Sequence, residues 1–227
     1  MGRHHIGIVI PALNEAATIS DIAAMVGQYG IPIVVDDGST DDTAKLAAQA
    51  GATVVSREKN GGYDAALNSG FEKAAEMDCS YILTIDADGQ HDPSLLQKFI
   101  EELDAGADVV VGIRSRKQRF CEHLCAFYAN LRFGIRDPFC GMKAYRTKVF
   151  RALGHFDSYK STGTELALFA AQNGYKVVQI PFLVRERMAS TPRFGSTFRA
   201  NMRLLHSMMY PIIKDLKAVA YFAIHRP

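Results

Sequence analysis

The sequence predicts an α/β fold, a doubly wound and mostly parallel sheet followed by a smaller C-terminal region. Three observations carry that prediction. Short apolar runs rich in β-branched residues alternate with helix-periodic segments, the order of a parallel sheet covered by helices on both faces. Several helical segments stop at glycine, which leaves a helix easily in the left-handed conformation. The acidic, glycine-containing segments directly follow apolar runs, where doubly wound sheets place their ligand-binding loops.

Taken in order, Ile6–Ile10 reads as the first strand, followed by Pro11-Ala-Leu-Asn-Glu15 and a helix over Ile19–Tyr29 that closes on Gly30. Ile31–Val35 is the second strand. After it come Asp36-Asp-Gly-Ser-Thr-Asp-Asp42 and a helix over Thr40–Ala50, with Ser39 or Thr40 as cap and Gly51 as stop. Thr53–Ser56 is a third strand, and a glycine pair precedes the helix Asp64–Met77. Tyr81–Ile85 leads into Asp86-Ala-Asp-Gly-Gln-His-Asp92, and Pro93 opens the helix Pro93–Leu103. Asp108–Val111 is the fifth strand. Beyond Gly112 the pattern loosens into a helix over Phe120–Phe133, a turn at Asp137-Pro138, a strand at Met142–Tyr145, a helix at Thr164–Gln172 and a strand at Lys176–Ile180. Without repeat or linker, residues 1–190 read as one domain, and 191–227 as an amphipathic segment facing a membrane or a partner.

With 227 residues, 48% of them hydrophobic and 22% charged, the chain can bury a sizeable core, so disorder is not the default reading. The net charge of +2 conceals a polarity: residues 1–112 hold 6 Lys/Arg against 18 Asp/Glu, and residues 113–227 hold 20 against 6. An acidic half suits metal binding and a basic half suits phosphates or anionic lipid. Nucleic acid is not expected, because no RNP, helix-turn-helix or zinc signature accompanies the basic residues and the acidic loops oppose it. The four cysteines form no CxxC pair and follow no secretory leader, so reduced thiols in a cytoplasmic protein are expected. No apolar run approaches the roughly 18–20 residues that span a bilayer. Residues Phe198, Met202, Leu205 and Met209 repeat at helical spacing among basic residues, the pattern of a helix lying on a membrane or against another protein surface.

The chemistry concentrates at the strand ends. Asp86 and Asp88 offer two hard oxygen ligands one residue apart, suited to Mg²⁺ or Mn²⁺ bridging a diphosphate, and Gln90 adds a neutral oxygen. The same segment also serves as an acidic turn capping the next helix. A carboxylate at Asp36 or Asp37 can accept hydrogen bonds from a base or ribose, although turn formation uses one of them. Glu15 can act likewise, or favour the first turn of its helix through the dipole.

The segments Ile8-Val-Ile-Pro-Ala-Leu-Asn-Glu15, Val34-Val-Asp-Asp-Gly-Ser-Thr40 and Leu83-Thr-Ile-Asp-Ala-Asp-Gly-Gln-His-Asp-Pro93 together resemble the family 2 glycosyltransferases of the GT-A (Rossmann-like) fold. The resemblance continues through Gly112-Ile-Arg114, Asp137–Arg146 and Gly174–Pro181, and is greatest to dolichol- and polyprenol-phosphate mannose synthases. It implies a nucleotide sugar, GDP- or UDP-linked, with Pro11, Leu13, Glu15 and Asp37 lining the nucleoside pocket. Asp86, Asp88 and Gln90 would hold the metal, and Arg114, Arg119 and His123 would contact an acceptor phosphate. Three positions depart from the family pattern: Tyr63 where many relatives carry Lys, Cys140 in place of Ser or Thr, and His123 in place of a small hydroxyl residue.

The resemblance also implies inversion at the anomeric carbon. A polyprenyl phosphate acceptor is already anionic and needs no base, so cationic positioning by Arg114 and Arg119 would dominate. A saccharide acceptor would need a proton removed from its hydroxyl, and Glu165 is the candidate base, unless it merely favours the start of its helix. The implied location is cytoplasmic and peripheral on the membrane face.

Overall fold

Runs such as Ile8-Val9-Ile10 and Ile33-Val34-Val35 lose all their exposed surface when sandwiched between two helical layers. In the computed structural model, which describes residues 5–116, 120–158, 161 and 163–184, these runs become strands of one sheet. The elements in chain order are β1 (Ile6–Ala12), α1 (Ile19–Val26), β2 (Ile31–Asp36), α2 (Thr43–Gln49), β3 (Thr53–Ser56), α3 (Tyr63–Glu76) and β4 (Tyr81–Thr84). Then follow α4 (Leu95–Asp104), β5 (Val109–Arg114), α5 (Phe120–Phe133), β6 (Lys143–Arg146), α6 (Thr147–Leu153), α7 (Glu165–Gln172) and β7 (Val177–Phe182). The sheet has seven strands in the order β3-β2-β1-β4-β6-β5-β7. Every pairing is parallel except those of β6, which runs antiparallel to both β4 and β5.

Alternation along the strands feeds two cores. Ile8, Ile10, Val34 and Leu83 pack with residues of α1, α2 and α4. Val9, Ile33, Val35 and Ile82 face α3, α5, α6 and α7, where Phe71 stacks 4.4 Å from Phe156 and 5.6 Å from Tyr145 between ring centroids. Chain order reverses between β1 and β4, so the crevice beyond their carboxyl ends is the topological switch point of the sheet.

Three features differ from the sequence expectations. Helix α6 was not anticipated; it follows β6 without a breaker and stops at Gly154, whose left-handed φ of 85° marks its end. The direction of β6 has no local signature, because it is set by pairing with distant strands. Neither Ser39 nor Thr40 caps α2, which begins at Thr43; Asp41 accepts the Thr43 amide at 3.0 Å instead. Arg119 and the amphipathic segment 191–227 lie outside the described residues. Among the described residues no helix is long and apolar enough to cross a membrane.

Candidate active site

The loops after β1 and β2 are stitched into one wall. Asn14, at φ 52°, accepts the Thr40 amide at 2.8 Å through its side chain, while its own amide donates to Ser39 Oγ at 2.9 Å. The Glu15 amide donates to Thr43 Oγ1 and the Ala16 amide to Asp41 Oδ2. Ser39 and Thr40 are thus spent on joining the two loops rather than on capping. Thr18 ties this wall to the loop after β4, its hydroxyl donating to the Ala87 carbonyl at 2.7 Å and lying 3.2 Å from Glu15 Oε2.

Asp36 and Asp37 are both buried, and they do different work. Asp36 Oδ1 accepts the Ser39 amide and closes the turn. Asp37 gathers the Arg57 Nε at 2.9 Å and the amides of Gly61 and Gly62 at 3.0 and 2.8 Å, which fixes the entry to α3 against the crevice. Gly38 makes the turn possible: its φ is 79°, and a Cβ there would come within 3.0 Å of the Asn60 amide nitrogen.

Asp86 and Asp88 occupy the mouth of the switch point. Asp88 is buried and accepts the Gln90 amide at 3.1 Å. The Asp86 side chain keeps 28% of its surface open to the crevice. Its Oδ1 receives the Tyr63 hydroxyl at 3.1 Å, and its Oδ2 lies 3.7 Å from Nδ1 of buried His91, a ring nitrogen with no hydrogen-bond partner among the described residues. Crowding by protein pushes the Asp86 carboxyl up, with Asp88 adding to the rise and His91, Tyr63 and Lys143 opposing it. Tyr63 is in turn raised well above its ordinary value by burial and by Asp86. Two close carboxylates beside the amide residue Gln90 fit a hard divalent cation.

Sequence reasoning overlooked one residue that makes this arrangement possible. Gly141 packs so tightly on Asp86 that an added Cβ would collide with all three atoms of the carboxyl group. Its carbonyl receives the Thr84 hydroxyl at 2.6 Å, locking it to the end of β4. The signal was present in the Cys140-Gly141 pair, but only the spatial neighbour reveals its meaning. Lys143 was likewise missed; buried beside this group, it has its pKa lowered by burial and donates to the Gly163 carbonyl at 2.8 Å. The Gly163 amide donates to Asp64 Oδ1, so β6, α3 and the loop before α7 close one side of the site.

The residues expected on the acceptor side are arranged less openly. Arg114 donates through its backbone amide and Nε to Asp137 Oδ2 and through Nη2 to Asp137 Oδ1 and Glu122 Oε2, all at 2.8–3.1 Å. Burial works against this charge, yet Asp137 and Glu122 hold the guanidinium above its ordinary pKa. Its head therefore faces protein carboxylates and braces α5 against β5. His123 lies exposed on α5. Glu165 begins α7, and its carboxylate accepts the Ser158 amide and hydroxyl and meets His155 Nε2 at 3.1 Å.

The family model described as glycosyl transferase family 2 matches residues 7–123. A polyprenol monophosphomannose synthase from Mycolicibacterium smegmatis is 30% identical over 222 residues, covering 86% of this chain and 83% of that protein. An undecaprenyl-phosphate 4-deoxy-4-formamido-L-arabinose transferase from Klebsiella pneumoniae is 27% identical, covering 93% of this chain and 67% of that protein. Among solved structures, glucosyl-3-phosphoglycerate synthase from Mycobacterium tuberculosis, in complex with Mn²⁺, UDP and phosphoglyceric acid, superposes with a TM-score of 0.67 at 25% identity, over 91% of this chain and 79% of that one. With the sheet order, the aspartate loop at the switch point and the family match in agreement, the chain is a member of glycosyltransferase family 2, with the GT-A fold.

Proposed function

We propose that this glycosyltransferase moves a hexose from a GDP- or UDP-linked sugar to a polyprenyl phosphate, with inversion at the anomeric carbon. The observation that carries the reading is the Asp86–Asp88 loop at the switch point, with Asp86 seated on Gly141 and hydrogen-bonded by Tyr63. Asp86, Asp88 and Gln90 would hold Mg²⁺ or Mn²⁺, the cations crystallised with UDP in the related phosphoglycerate synthase. Bound there, the cation supplies charge neutralisation for the departing diphosphate.

The protein's own groups do the rest. Pro11, Leu13, Glu15, Asp36 and Asp37 form the nucleoside side, with Asp37 holding the Gly61–Gly62 turn in place. Arg119 and His123 meet the acceptor phosphate, and Arg114 positions α5 through Glu122. An acceptor phosphate is anionic near neutral pH and needs no base. The engagement of Glu165 by Ser158 and His155 supports that acceptor over a sugar hydroxyl. The kinship with polyprenol monophosphomannose synthase supports it independently. The enzyme would then work at the cytoplasmic membrane face, with the 191–227 segment as one contact.

The test offers labelled GDP-mannose or UDP-glucose with Mn²⁺ and one of three acceptors: undecaprenyl phosphate, 3-phosphoglycerate or a soluble disaccharide. Label entering the butanol phase with the prenyl phosphate is the expected result. Preferred transfer to the disaccharide, abolished by Glu165→Gln, would overturn the acceptor assignment.

A further inference from the structure

We propose that the outward face of α5 is a docking surface for an anionic membrane. Phe120, Leu124, Phe127 and Leu131 are 80%, 54%, 68% and 76% exposed. Their spacing of i, i+4, i+7 and i+11 puts them in one row along the helix, opposite the buried Cys121, Cys125, Ala126 and Ala129. Leu183, 81% exposed, leaves β7 beside Ser115, whose hydroxyl accepts the Val184 amide near the chain's entry to α5. Scattered exposed apolar residues are ordinary on a protein surface, but a continuous row marks an interaction face.

Charge selects the occupant. Every carboxylate in the described part of residues 113–184, namely Glu122, Asp137, Asp157 and Glu165, is buried. Two of them neutralise Arg114. The charged side chains that the described flanks of α5 show to solvent are cationic, Arg116 and Arg136. An apolar row with a basic rim matches a bilayer surface, which accepts the side chains below the headgroups and meets the arginines with lipid phosphates. A second copy docked face to face would instead set these arginines against one another. The inference extends the proposed membrane location to a surface within the folded domain, and it does not depend on which acceptor is used.

The 227-residue chain contains no tryptophan, so Phe127→Trp in this chain places a single reporter in the row. Vesicles of phosphatidylcholine with phosphatidylglycerol should blue-shift its emission and shield it from acrylamide, and phosphatidylcholine alone should do so far less. Flotation should show the Leu124→Ser, Phe127→Ser, Leu131→Ser triple variant partitioning at least about tenfold more weakly than the native chain. Its melting temperature should be unchanged, as should transfer to a detergent-dispersed acceptor. Equal flotation of the two proteins, or an unshifted indole in the anionic vesicles, would overturn the proposal. So would a vesicle-independent shift that tracks dimer formation in the ultracentrifuge, which would assign the face to a second copy. Because binding is read without a sugar donor, failure here leaves the transfer reaction to its own test.

Discussion

Asp137 receives three bonds from Arg114, whereas Asp86 is offered the Tyr63 hydroxyl and stands beside a second carboxylate, Asp88. The same residue type braces the fold in one place and is left facing the crevice in the other. The difference separates the two halves of the molecule. Before residue 113 the loop carboxylates gather at the strand ends, and after it the described carboxylates are buried while Arg116 and Arg136 are exposed. Sequence polarity thereby becomes spatial polarity, negative where a cation and diphosphate would sit and positive around α5.

Breaking the brace should have the largest effect. Asp137→Ala leaves Arg114 and its Glu122 contact without their main partner in a buried site, and should cost about 3–5 kcal/mol of unfolding free energy in urea titrations. Gly141→Ala acts on the crevice instead: the new methyl group displaces the Asp86 carboxylate, and transfer should fall by roughly 10²-fold while the urea midpoint shifts little. If each variant produced the other's signature, the division of labour between the two carboxylates would be wrong.

Asp37 tests a residue with both kinds of partner. Asp37→Asn weakens the acceptor for Arg57, Gly61 and Gly62, so a loss of about 1–3 kcal/mol in stability is expected, with weaker nucleotide binding by calorimetry because the Gly61–Gly62 turn borders the crevice. Cys140 should show the smallest effect. Burial, reinforced by Asp137, pushes its thiol up to about 12, so near pH 8 it is protonated and should resist iodoacetamide until the protein is unfolded.

The strands, most helices and the three loops were legible because buried parallel strands must be apolar and because glycine marks helix ends. The Phe120–Phe133 helix kept the same bounds in the structure, and the row Phe120, Leu124, Phe127 and Leu131 can be read from its spacing. Which face of α5 is covered could not be read, since that depends on where β5 and α7 lie. Long-range pairing hid the remainder. Nothing local to Arg114 indicates that Asp137 will take its charge, nothing around Cys140 indicates that Gly141 will meet Asp86, and β6 acquires its direction from β4 and β5. The departure at Tyr63 was visible, but its hydroxyl's bond to Asp86 became apparent only when α3 was placed beside β4.

The account's central claim is that Asp86 and Asp88 hold a divalent cation that in turn holds the nucleoside diphosphate. Isothermal titration of the native chain and of Asp88→Asn with GDP and UDP, each with and without Mn²⁺, tests it most directly. The native chain should bind its preferred diphosphate at least about tenfold more tightly with Mn²⁺, a gain of ~1.4 kcal/mol, and the folded variant should lose that gain. Binding by the native chain that ignores Mn²⁺, or a Mn²⁺ dependence preserved in Asp88→Asn, would contradict it.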